Sequence, residues 1–130
     1  MDRTPDFIQK IGTIDCDIVE ANPVVWKGDL LIFEYIRGID QKGRQRCYFH
    51  NSEVSYFRFR NTRDNSFSLP FGFGLHMGNA YVDGDRMVVT AVEDWNKSRF
   101  YQIESKDLVR WTTPRVILDD PAQGGFNTSV

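Results

Sequence analysis

Several things are scarce in this sequence, and each shortage removes a class of function. Cysteine is nearly absent: Cys16 and Cys47 are the only two in 130 residues. They show no metal-ligand spacing and make a poor disulfide framework, so neither a metal nor any other cofactor is expected. No apolar stretch approaches the length of a membrane span, and the opening MDRTPDFIQK is too charged for a signal-peptide core. The expectation is a cytoplasmic protein with no membrane partner. An excess of charge of one sign is also lacking, since 16 Lys and Arg against 18 Asp and Glu leave a formal net charge of -2. That balance gives no electrostatic reason to expect nucleic acid as a partner. The short basic run KGRQR (42–46) reads as a solvated loop.

Helical periodicity is nearly missing as well. What remains is rich in core-forming residues: 41% of the chain is hydrophobic and 14% aromatic, with ten Phe. That is enough to bury one modest core and to argue against global disorder. The apolar runs are short, favour Val, Ile, Phe and Tyr, and are separated by the turn triplets KGD (27–29), GID (38–40) and DGD (83–85). Such a pattern predicts β-strands joined by hairpins, as in NPVVW-KGD-LLIFEYIR and NAYV-DGD-RMVVTAVE. The fold class expected is all-β.

The two hairpins resemble each other. ANPVV (21–25) and GNAYV (78–82) both read Asn-x-x-Val ahead of a Gly-Asp turn. Downstream, FRFRNTRDNSFS (57–68) lies over YQIESKDLVRWT (101–112) without a gap, which sets Phe59 on Ile103, Phe67 on Trp111 and Ser68 on Thr112. The closing FNTSV (126–130) supplies a third copy, so that Asn22, Asn79 and Asn127 recur at intervals of 57 and 48 residues. The longer first interval is explained by the extra loop around 38–53. Repeats of this size, each several antiparallel strands, match a β-propeller blade of ~40–50 residues.

The expected organisation is an N-terminal arm (1–19), a first blade (20–70), a second blade (71–120) and the first strand of a third (121–130). Propellers close with roughly 4–8 blades, so an incomplete ring is expected. Either the chain is part of a longer protein, which is the favoured reading, or several copies assemble.

The most specific motif is SKDLVRW (105–111), a Ser-x-Asp-Leu-x-x-Trp that follows one strand and precedes another beginning TTPRVIL. With NPVVWKGDLLIFEY ahead of it, it resembles the blade motif of five-bladed propeller glycosidases, the glycoside hydrolase family 43 and 32 groups and their relatives. The resemblance spans most of residues 20–130. The motif itself reads as structural for Ser105, Asp107 and Trp111: the Asp accepts backbone N–H bonds in a tight turn, while Trp111 fills the space between blades. The fold that the resemblance implies is a five-bladed propeller.

In those families carboxylates from different blades converge where the innermost strands begin, one as base or nucleophile and one as general acid. The first-blade base is typically an Asp just before a Pro or similar residue. The matching position here is Asn22, ahead of Pro23, and Asn cannot take a proton. Glu20 is the substitute, because residues two apart on a strand share a face. Superposing the hairpins with Gly28 on Gly84, a shift of 56, also sets Glu20 against His76, so that both would enter one pocket from adjacent blades. The plainer readings are an exposed strand-end carboxylate and a loop hydrogen-bonder.

Asn22, Asn79 and Asn127 offer a donor and an acceptor each, which suits sugar hydroxyls or the tying of one blade's strand to the next. Arg37, ending FEYIR, would reach a carboxylate or sugar at the rim, or is a solvated strand end. Trp95 in EDWNK would stack on a sugar ring or pack locally. The run PFGFGLHMG (70–78) reads as a tight crossing between blades, with no helix or Lys-Ser/Thr to make it a phosphate cradle.

The general acid of family 43-like enzymes is a Glu from a later blade. The function expected is therefore the N-terminal part of a propeller glycoside hydrolase that acts on an oligo- or polysaccharide. The alternative is a non-catalytic, lectin-like carbohydrate-binding propeller built from several chains. A glycan phosphorylase would need a basic phosphate site that the sequence does not present.

Overall fold

The computed structural model describes residues 18–37, 55–93 and 97–122. Those residues form two antiparallel sheets with no helix and no closed barrel. The first contains β1 (Ile18–Trp26), β2 (Asp29–Arg37) and β3 (Ser55–Asn61) in that order. The second contains β4 (His76–Asp83), β5 (Arg86–Val92), β6 (Arg99–Ser105) and β7 (Arg115–Asp119), also in chain order. Ile18 and Val19, expected in an arm, belong to β1. Phe71, expected in the second unit, pairs with Phe57 of β3, and Phe67 pairs with Arg60. The first sheet thus has an irregular fourth edge in place of a fourth strand.

Strand alternation explains β1. Glu20, Asn22, Val24 and Trp26 turn inward, while Val19, Ala21, Pro23 and Val25 are exposed. Pro23 is tolerated because β1 is an edge strand, where a missing N–H breaks no ladder bond. The two hairpins use different turns. Lys27 (φ 49°) and Gly28 (φ 88°) are both left-handed, a type I′ turn, whereas in the second hairpin only Gly84 (φ 60°) is, a type II′ turn. Gly28 therefore does not correspond to Gly84: the closing pairs are Trp26 with Asp29 and Asp83 with Arg86. By ladder position the hairpins superpose with a shift of 57, which keeps Asn22, opposite Phe33, equivalent to Asn79, opposite Thr90.

The downstream strands shift in the same way. Phe59 pairs with Phe33, and the equivalent Thr90 pairs with Gln102, so Phe59 corresponds to Gln102 rather than Ile103. A one-residue slip moves a side chain to the other face of the sheet. Phe67 and Trp111 differ too: Phe67 is half exposed under the Arg58 guanidinium, 4.0 Å from its ring centre, while Trp111 stacks on Phe71 at 3.9 Å. Ser68 and Thr112 do share a role. Each hydroxyl accepts a β-strand N–H, from Phe59 at 2.9 Å and from Glu104 at 3.0 Å, and each returns its own N–H to the same residue's carbonyl.

The core lies between the sheets. Leu31, Phe33, Tyr35, Phe57 and Phe59 of the first sheet meet Ala80, Met87, Val89, Ala91 and Ile103 of the second, with Phe71 and Leu75 from the connection. The connection passes so close to Phe57 that side chains are excluded. A Cβ on Gly72 would stand 2.5 Å from Phe57 Cδ2, and one on Gly78 would stand 2.8 Å from Phe57 Cζ and 3.0 Å from Phe33 Cζ. Trp111 closes the stack over Phe71 and Phe59, held by the 105–111 turn. There Ser105 Oγ accepts the N–H groups of Asp107 and Leu108, and Asp107 Oδ1 accepts those of Val109 and Arg110 at 2.9 and 2.8 Å. The Arg110 and Val109 amides hold the Asp107 carboxyl below its ordinary range.

On the opposite face of the first sheet, Glu34 is fully buried at 0% exposure. Its two oxygens accept from Arg58 Nε and Arg60 Nε, both at 2.8 Å.

Two stability measurements check this packing. Gly78→Ala should lower the unfolding free energy by about 1–3 kcal/mol through overpacking against two buried rings, read from denaturation midpoints. Glu34→Gln should cost about 3–5 kcal/mol, because two largely buried guanidinium groups lose their counter-charge. Replacing Glu34, Arg58 and Arg60 together by apolar residues of similar volume should restore most of that loss.

Candidate functional site

At the end of the sheets away from both hairpin turns, the apolar interface gives way to a polar group. β1 begins there, β2 ends, β3 begins and β4 begins. Tyr35 is its centre. It continues the inward stripe Leu31–Phe33–Tyr35 and is buried at 0% exposure, yet it ends in a hydroxyl that needs a partner. His76, the first residue of β4, supplies one: Tyr35 Oη lies 2.7 Å from His76 Nδ1, and the two rings meet edge-on at 80°.

The far side of the imidazole faces Ser55, with Nε2 3.5 Å from Oγ. Ser55 spends its single hydroxyl proton on the Leu75 carbonyl at 2.7 Å. Tyr35 Oη and Ser55 Oγ thus flank the two ring nitrogens of His76. Tyr35 orients this imidazole from a position that solvent does not reach.

Glu20 reaches the same group from β1, as the cross-strand partner of Tyr35, which puts the two side chains on one face about 5 Å apart at Cβ. Arg37 shares that face two residues beyond Tyr35 and pairs with Ser55. The site thus brings together Glu20, Arg37 and His76 of the residues singled out from the sequence, and adds Tyr35 and Ser55.

Glu20 and His76 also occupy equivalent ladder positions, opposite Tyr35 and Val92, each two ladder steps before an Asn. The cause is not the turn glycines. Between His76 and Asn79 the ladder carries an extra residue, a bulge at which Met77 adopts φ 47°. A second irregularity lies between Ile18 and Glu20.

The remaining candidates are elsewhere. Asn22 shares the face of Glu20 but spends its amide on the second sheet: Nδ2 donates to Ala80 O at 2.9 Å, and Oδ1 accepts Ala80 N–H at 3.2 Å. Of the two uses open to it, the strand tie is the one the geometry displays. Asn79 lies beside Thr90, on the face of the second sheet turned away from the first. Trp95 and Asn127 lie outside the described residues. No group of three or more His, Cys, Asp or Glu that could hold a metal occurs among the described residues. Nor is any helix there long and apolar enough to cross a membrane. Open clefts border Phe67 and the 105–112 turn, at the hairpin end, remote from His76.

The chain matches no protein-family model, no curated protein and no solved structure. What the site can do must come from its chemistry. It offers a carboxylate, a guanidinium and an imidazole held by a buried tyrosine hydroxyl at one end of an aromatic interface. Those are the groups with which a protein handles hydroxyl-rich or anionic small molecules and moves protons near neutral pH. Tyr35 escaped attention in the sequence because it reads as the last apolar residue of a core stripe. Ser55 carried no signal beyond its place at the head of an aromatic strand.

Tyr35→Phe removes the hydroxyl while keeping the ring. It should cost about 1–2 kcal/mol of stability. The Nδ1 nitrogen chemical shift of His76 should move more than that of Nε2, because Nδ1 loses its hydroxyl partner.

Proposed function

We propose that this chain is the N-terminal part of a five-bladed propeller glycoside hydrolase, cytoplasmic, acting on glycosidic bonds of an oligo- or polysaccharide. In this reading each sheet is one blade, β1 and β4 are innermost strands, and Glu20 is the first-blade carboxylate. The observation that carries it is the equivalence of Glu20 and His76 at the heads of two consecutive innermost strands, around the shared Tyr35. Two sheets that stack by their faces, joined at neighbouring edge strands by Asn22, support the blade assignment, as does the Ser105–Trp111 turn packed between them.

Glu20 either takes a proton from an attacking water or itself attacks the anomeric carbon. A carboxylic acid from a later blade protonates the departing oxygen. His76 and Arg37 bind sugar hydroxyls beside it, with Tyr35 holding the His76 ring in place.

One observation favours a second reading, a carbohydrate-binding propeller without catalysis. Asn22 stands where the related enzymes carry their base, and its amide is committed to Ala80. The two readings separate in one experiment on the protein with its complete ring. For the hydrolase, Glu20→Gln should lower kcat on a responsive glycan by about 10³-fold or more, with binding of that glycan retained. Unchanged turnover in Glu20→Gln would sink the catalytic assignment. Glycan binding by the wild type with no turnover on any bound glycan would establish the lectin-like reading.

A further inference from the structure

At the hairpin end, the gap between the sheets opens into a cleft of about 370 Å³. Leu31 and Phe59, both buried, form its floor. Its rim is different. Phe67 and Leu69, from the irregular edge of the first sheet, and Val109, from the 105–111 turn, are each more than half exposed. Apolar groups from two separate segments thus border one opening to solvent.

Both walls are held in place. Ser68 ties the first to Phe59 by a pair of bonds. Trp111 anchors the second by stacking on Phe71 and Phe59. Lys27 reaches across from the first hairpin and donates to the Lys106 carbonyl at 2.9 Å. A molecule entering the cleft would have little of the chain left to order.

One charged residue lines this cleft, Asp107. Its Oδ1 accepts the Val109 and Arg110 amides and the Ser105 hydroxyl. The Arg110 and Val109 bonds keep the carboxyl below its ordinary range, so it is ionised at neutral pH. Its Oδ2 has no partner among the described residues. The nearby cations are committed elsewhere: Lys106 to Asp85 at 2.9 Å, and Arg86 to Asp83 and Glu104 at 2.6 and 2.7 Å. Arg110 forms no ion pair with it. Ser66, on the first wall, keeps a hydroxyl oxygen that can accept a further N–H.

These features select one kind of ligand. An anion would be repelled, and a wholly apolar molecule would cover an ionised carboxylate without pairing it, which is costly. An ammonium group supplies both the counter-charge and the donors. The Arg58 guanidinium already occupies one face of the Phe67 ring, 4.0 Å from its centre, so the ligand's charge belongs at Asp107 and its apolar part against the ring. We propose that this cleft binds a small organic cation, a primary ammonium carrying an alkyl or aryl group, with its charge on Asp107 and its apolar group between Phe67 and Val109. The site does not depend on the chemistry at Glu20.

Benzylammonium and benzyl alcohol, alike in shape and different in charge, test it on the full chain. In amide chemical-shift titrations benzylammonium should saturably shift Ser66–Leu69 and Asp107–Val109, and benzyl alcohol should bind about tenfold more weakly. Asp107→Asn keeps an oxygen for the Val109 and Arg110 amides but loses the charge. It should weaken benzylammonium about tenfold and leave benzyl alcohol unchanged. Phe67→Ser lies outside that turn and should weaken both probes. The comparison of the two probes on the wild type needs no variant to fold. Equal affinity for both probes, undiminished benzylammonium binding in Asp107→Asn, or shifts confined to residues outside the cleft would overturn the proposal. So would a response that never saturates, since that marks contact at high probe concentration only.

Discussion

The ring of Phe57 sets the distance at which the two sheets meet. It sits between Gly72 and Gly78, so near to both that neither position has room for a Cβ. Phe33, Tyr35 and Phe71 all pack on the same ring, with centroids 5.0–5.9 Å away. The connection from the first sheet to β4 is thereby drawn against the aromatic layer. That closeness delivers His76 to Tyr35 and Ala80 to Asn22. A wider gap would separate the buried Tyr35 hydroxyl from its imidazole. The candidate site is a by-product of how tightly one phenyl ring is packed.

Much of this fold was legible in the sequence, and what was not can be traced to single residues. Alternation and turn triplets locate the strands, and the Asn-x-x-Val repeat locates the equivalence of Asn22 with Asn79, because these features are local and periodic. The triplets KGD and DGD look interchangeable, however. Whether glycine takes the first or second central position of a turn decides between type II′ and type I′, and nothing in three letters reveals that Lys27 will accept a left-handed backbone. Aligning on the glycines slips the register by one. The slip is hidden for Glu20 and His76 only because the bulge at Met77 restores it. It is not hidden for Phe59 and Ile103, which fall on opposite faces.

The site was half visible for the same reason. Charged and polar residues at strand ends, such as Glu20, Arg37 and His76, stand out against apolar runs. Tyr35 does not, since its ring serves the core and only its last atom serves the site. In the sequence the Asn22 side chain has two uses open to it, and its partner lies 58 residues away across the sheet interface. No local pattern encodes such a contact.

The outer edge of the second sheet faces a different problem. All five residues of β7 are exposed, and Val116, Ile117 and Leu118 form an unbroken apolar run there. An open strand of that composition invites a foreign strand to extend the sheet. Here the run is only three residues long and is bracketed by Arg115 and Asp119, the latter held by Arg99 at 3.2 Å. A strand that extended the sheet there would meet the Arg115 cation at one end and the Arg99–Asp119 ion pair at the other, which disfavours registers that set like charges opposite each other. So short an apolar run, charged at both ends, blunts an edge that its composition would otherwise offer to an added strand.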